Sequence, residues 1–173
     1  MLKDQISQAA LQVLAREGLQ QWTISAVARE AGCAKGLVHY HHRTKEELLG
    51  TVADQLVRDR TESRVRALSR RSTAALDNLW TDLAQSVKTG RTAAWLSLMG
   101  HPSPAVRSRI MLPDNYLTRL SEAVAEAFAL DAVDESVARA IDGGLDGMEV
   151  ALLRGDSEDS VHEAFHRMWL SVL

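Results

Sequence analysis

At 173 residues, with 46% hydrophobic and 25% charged side chains, the chain is long enough to bury one or two small cores and too apolar to be disordered. Three prolines, sparse β-branched runs and abundant Ala, Leu, Arg and Glu point to an all-α protein of about nine helices. No apolar run approaches ~18 residues and the opening MLKDQISQ holds no hydrophobic segment, so a membrane span and a secretory leader are both unexpected and a cytoplasmic location is expected.

The net charge of −3 hides an asymmetry. Residues 1–71 carry 12 Lys and Arg against 8 Asp and Glu, a net of +4, whereas residues 72–173 carry 8 against 15, a net of −7. A positive end lowers the cost of approaching phosphate, and an acidic remainder keeps the rest of the chain off nucleic acid. Cys33 stands alone and can form no internal disulfide.

A first helix is predicted from about Leu2 to Glu17, with Ile6, Ala9, Ala10, Val13 and Leu14 on one apolar face and Gly18 ending it. Leu19 and Trp22 extend that small core. Thr23 is placed to cap the next helix through the amide of Ala26, and Ile24, Val27 and Ala28 form its buried stripe. Ala31-Gly32 supplies a sharp exit, and a third helix follows from about Ala34 to Tyr40, with Leu37 and Val38 available for packing. Two short helices joined by a glycine-containing turn make a helix-turn-helix over about residues 24–43, whose second helix suits the major groove.

Thr23 and Ser25, at a helix N-terminus, are candidates for fixing the phosphate backbone. Lys35 is suited to guanine or phosphate, Gly36 to close backbone approach and Leu37 to a thymine methyl, while His39, Tyr40 and His41 are expected to face the duplex. His39, His41 and His42 lack an acid or thiol at ligand spacing, so no metal site and no cofactor are expected. His42 is read as filling a half-buried position.

Thr44 and Glu47 form a capping box that opens a fourth helix, with Leu48, Leu49, Val52, Leu56 and Val57 on its stripe to about Arg60. The charged stretch after it is read as a solvated face, with Arg64 or Arg66 available to a flanking phosphate. Further helices are predicted over 73–88, 91–100, 103–129, 135–154 and 158–172, with Pro113 bending or restarting the long one. Large side chains at Trp80, Trp95, Met99 and Tyr116, with polar groups at Asn115, Asp142 and Asp146, are candidates for lining a pocket that takes a small apolar or cationic effector. The apolar surface of the last two helices, Val150, Leu153, Val161, Phe165, Met168, Trp169 and Val172, with Gly143, Gly144 and Gly147 permitting close approach, is read as a two-fold homodimer interface.

These motifs resemble the TetR family of transcriptional repressors. The resemblance rests on Thr23, the run Ala28-Arg29-Glu30-Ala31-Gly32, Lys35-Gly36 and Thr44-Lys45-Glu46-Glu47-Leu48, and it covers about the first third of the chain. Three positions depart from the family pattern: Cys33 follows the turn glycine in place of a small aliphatic residue, Ala34 takes a capping position often held by Ser or Thr, and His42 stands where Phe is usual. The resemblance implies phosphate contacts by Tyr40 and Lys45. It also implies a DNA-binding domain over 1–60 and an effector and dimerisation domain over 61–173, whose final helices are similar to those of BetI-like members. The function implied is a homodimeric repressor on a palindromic double-stranded operator, released by a small molecule; the alternative is an adaptor on the same scaffold that has lost its operator. The chain is expected to hold no G-x-S-x-G, no H-E-x-x-H, no phosphate loop and no partner to activate Cys33, so no enzyme is expected.

Overall fold

A computed structural model describes residues 2–69 and 74–172, the side chain of Val172 excepted. Among these residues every regular element is helical: α1 (Leu2–Gln21), α2 (Ile24–Glu30), α3 (Lys35–His41), α4 (Lys45–Leu68), α5 (Ala75–Lys88), α6 (Arg91–Met99), α7 (Pro104–Arg107), a 3-10 turn (Ser108–Ile110), α8 (Tyr116–Phe128), α9 (Glu135–Arg154) and α10 (Glu158–Val172). Arg70 to Thr73, which include the expected start of the fifth helix, lie outside the described residues.

Most predicted elements are present, with three differences of physical origin. The first helix does not stop at Gly18. That residue is non-helical, at φ 72 and ψ 173, and a short helical remainder continues to Gln21. The expected helix over 103–129 is three pieces, because Pro104 opens α7 at its first turn and Pro113, with no amide to donate, interrupts the chain before α8 restarts at Tyr116. Residues 89–111 group with the first 58 residues, so the compact units cut across a division at residue 60: one comprises Met1–Arg58 and Thr89–Met111, the other Asp59–Lys88 and Leu112–Leu173.

In the first unit Ile6, Val13, Leu14, Trp22, Val27, Val38, Leu48, Leu49 and Val52 share one core with Ala94, Leu98 and Val106. Trp22 is fully buried and its indole N–H donates to the carbonyl of Ala10 at 2.8 Å, which settles its role as packing. Each large side chain buried here contributes on the order of 1.5–3 kcal/mol. The second unit is built on Leu68, Leu79, Leu83, Tyr116, Leu120, Val124, Ile141, Leu145, Phe165 and Trp169.

Gly90 caps α6 in the left-handed region at φ 76, and a Cβ there would run into the carbonyl oxygen of Ala15 on α1. Left-handed backbone costs an L-residue about 1–2 kcal/mol before any clash. Gly90→Ala is therefore expected to destabilise the protein by more than about 2 kcal/mol, read as a lowered denaturant midpoint at unchanged slope.

Candidate functional site

The helix-turn-helix is assembled from caps. Thr23 Oγ1 accepts from the amide of Ala26 at 3.1 Å and starts α2. At the far end the amide of Cys33 donates to Ala28 O at 3.0 Å and that of Gly32 to Arg29 O at 3.2 Å, with Gly32 at φ 62. This paired closure is a Schellman motif, and its left-handed residue is the reason for glycine at position 32. Ala34 precedes α3 with no side-chain cap. Thr44 Oγ1 accepts from Glu47 N at 3.0 Å, and Glu47 reaches back to accept from Arg43 N at 2.9 Å, closing the entry to α4.

Val38 is the buried residue of α3, which leaves the rest of that helix outward. Lys35, Gly36, His39 and Lys45 are exposed, Leu37 is 41% and Tyr40 80% exposed, and His41 is half-buried with its ring edge-on to Tyr40 at 5.2 Å. Thr23 and Ser25 are exposed at the start of α2. The Lys45 ammonium lies 5.4 Å from the Trp22 ring centre, so the indole that organises the core also steadies this cation. Arg43 is a further exposed cation between α3 and α4; its place directly before the capping Thr44 was the available signal. The surface so formed carries cations, hydroxyls and one large aromatic ring, the groups that phosphate and base edges accept.

His42 departs from its expected half-buried setting. It is 1% exposed, and neither ring nitrogen has a hydrogen-bond partner. His39, His41 and His42 thus do not converge, and no group of three or more metal-binding side chains exists among the described residues. Burial, reinforced by Lys3 and His41 and opposed by Glu47, lowers the His42 pKa below 6.5. The folded state keeps this ring neutral while the unfolded chain takes up a proton below about pH 6.5, so stability falls as the pH drops from there toward the folded pKa.

The second unit holds a buried ion network. Arg60 donates to Asp146 at 2.5 Å and to Glu149 at 2.6 Å. Arg64 donates to Asp142, to Asp146 at 2.7 Å and to Glu149 at 3.4 Å, while the Tyr116 hydroxyl donates to Asp142 at 2.5 Å. The pattern is helical: 60 and 64 stand one turn apart on α4, and 142, 146 and 149 share a face of α9. Burial opposes the charge on Arg64, yet Asp142, Asp146, Tyr116 and Glu149 outweigh it and raise its pKa. Burial also pushes the Tyr116 hydroxyl above its ordinary value, so it remains a donor.

Three effector candidates, Tyr116, Asp142 and Asp146, come together here. The others do not join them. Trp80 is half-buried against His162 and Phe165, Asn115 is exposed at the start of α8, and Trp95 and Met99 belong to the first unit, Trp95 packed on its core and Met99 exposed. Arg64 is buried and ion-paired, which removes it as a flanking phosphate contact. Arg60, Arg64 and Glu149 were missing from the expected set, although opposite charges at helical spacing on two apolar stripes were the signal for them.

Of the dimer candidates, Val161, Phe165 and Trp169 are buried within the single chain and cannot meet a second copy. They fill the core of their own unit. Val150 and Met168 are half-buried and Leu153 is exposed, while the side chain of Val172 lies outside the described residues.

This arrangement defines a helix-turn-helix head carried by an all-helical protein. Residues 6–52 match the family model of bacterial regulatory proteins, tetR family, so the head is a TetR-family N-terminal domain. The whole chain has the fold of solved TetR-type regulators. A TetR transcription regulator from Haloarcula marismortui superposes with a TM-score of 0.73 at 23% identity, covering 96% of this chain and 94% of that one. A transcriptional regulator from Rhodococcus sp. Rha1 gives 0.72 at 20%, covering 99% and 95%. The multidrug binding protein EbrR complexed with ethidium gives 0.68 at 22%, covering 97% and 98%. Comparison with curated protein sequences finds no match.

The buried histidine and the ion network each lead to a measurable outcome. Unfolding free energy measured from pH 7.5 down to 5 should fall in the native protein, and His42→Phe should flatten that decline. Arg64→Ala takes one of two guanidinium groups away from three carboxylates and should cost about 3–5 kcal/mol in chemical denaturation.

Proposed function

We propose that the protein is a ligand-responsive transcriptional repressor that binds a palindromic operator as a homodimer, with α3 in the major groove. The observation that carries this reading is the outward face of α3, where Lys35, His39 and Tyr40 project from a helix anchored to the core through Val38. Thr23, Ser25, Tyr40 and Lys45 grip phosphate, and Lys35, Gly36, Leu37, His39 and His41 meet base edges. A second copy adds a second head, and two-fold symmetry demands an inverted repeat whose half-sites lie about one helical turn apart, ~34–36 Å, or somewhat more.

The surface that we assign to the second copy is narrower than the apolar residues of α9 and α10 suggest. Gly143 and Gly147 have open space where a Cβ would stand, and with Val150, Leu153 and Met168 they offer a shallow apolar face to an identical helix pair. The effector is a small apolar or cationic molecule taken by the second unit, with Tyr116, Asp142 and Asp146 as its candidate contacts. EbrR forms complexes with ethidium, proflavin and malachite green, which supports testing organic cations first. A ligand that prefers the state with the heads wrongly spaced for successive grooves lowers DNA affinity by its preference between the two states.

Selection of genomic fragments by the purified protein, followed by footprinting, tests the reading. Protection of both halves of an inverted repeat is expected. On that site Lys35→Ala with Tyr40→Ala should abolish specific binding, and Lys45→Ala, which takes one cation off a phosphate, should reduce the salt slope by about one. Unchanged affinity in the folded double variant would remove α3 from the mechanism and leave an adaptor.

A further inference from the structure

The histidines that cluster in the head do not converge, but a different pair does. Residues 162–166 read His-Glu-Ala-Phe-His, the H-E-x-x-H spacing, so the expectation of a chain without a metal motif does not hold for α10. On a helix this spacing sets two imidazoles one above the other on a single face, the arrangement by which helical histidines share a zinc ion. In α10 the rings of His162 and His166 have centroids 4.4 Å apart at 61°. Two nitrogens at 2.0–2.1 Å from one tetrahedral ion are ~3.3 Å apart, so rings already in contact on one face are close enough to share an ion.

The surroundings prepare one ring and leave the other open. His162 is half-buried and lies 4.4 Å from the Trp80 ring of α5, while His166 is exposed. Phe165 between them is fully buried and holds this turn of α10 to the core. The pair lies on the side of α10 that meets Trp80, whereas Met168 meets Gly144 of α9, so the surface assigned to a second copy is not needed for it.

We propose that His162 and His166 bind a divalent transition-metal ion of the zinc, nickel or copper class. Imidazole nitrogen selects these ions over magnesium and calcium, which take oxygen ligands. Water fills the remaining coordination positions, because no third His, Cys, Asp or Glu joins the pair among the described residues. Glu163, between the two histidines in sequence, turns to solvent and pairs with Arg167 through Nε at 3.1 Å and Nη2 at 2.6 Å. The bound ion therefore clips one turn of α10 and fixes the His162 ring beside Trp80.

The test is calorimetric titration of the chelator-treated full chain with Zn²⁺, paired with Trp fluorescence during titration with Cu²⁺. One zinc per chain is expected, with His166→Gln and His162→Gln each weakening binding by about tenfold or more, Glu163→Gln leaving it unchanged, and magnesium failing to compete. Cu²⁺ should quench the emission contributed by Trp80, and Trp80→Phe should remove that part of the quenching. His166 is exposed, so its variant tests the site even if His162→Gln fails to fold. Absence of zinc binding, binding indifferent to His166→Gln, or binding lost on replacing His39 and His41 instead would each overturn the proposal. None of these readouts involves DNA, so they stand apart from the operator experiment.

Discussion

The second helix of the helix-turn-helix, α3, is seven residues long and is held by the burial of one of them. Helices this short do not persist in water on their own, so α3 exists because Val38 is locked into a core that α1, α2 and α4 complete. Trp22 sits in that core with its indole N–H satisfied by Ala10, and Lys45 rests over its ring. One set of apolar contacts therefore orders the outward face of α3 and aligns a cation at its edge. Holding α3 through a single inward residue leaves most of its surface exposed. It also makes His42, buried directly after the helix with two unpaired nitrogens, the point where acid acts on the head.

The second unit solves a different problem. Two guanidinium groups and three carboxylates lie among apolar helices, where isolated ions would be prohibitive. They are tolerable because each arginine engages several acids and Tyr116 adds a further donor. Such a network adds little net stability compared with a well-packed apolar equivalent, but it is sensitive to loss of any member. An ion pair also demands one register between α4 and α9, whereas apolar stripes tolerate sliding by small steps. Asp146 is the most open of the three acids and bridges both arginines.

Much of the head was legible because its signals are local. Thr23, Gly32, Thr44 and Glu47 act within a few residues of themselves through caps and turns, and the structure forms each of those hydrogen bonds. Apolar periodicity likewise located α1, α2, α9 and α10. Sequence reasoning fails where a contact joins distant segments. Phe165 and Trp169 have the spacing of an interface and of a core alike, and only the positions of α5 and α8 show that they fill the core. Arg64 lies in a charged run that suggests solvent, and its partners stand some eighty residues away on another helix.

By itself the sequence determined the helical class, the turn chemistry of the head and the identity of its outward cations, since backbone propensity, caps and 3.6-residue periodicity all act over a turn or two. Only the tertiary structure decided which apolar faces are consumed within the chain, that residues 89–111 pack with the head's core, that His42 is dry, and that Arg60 and Arg64 meet Asp142, Asp146 and Glu149. Those outcomes depend on long-range pairing, where one residue type fits several environments and the choice falls to whatever the rest of the fold brings beside it.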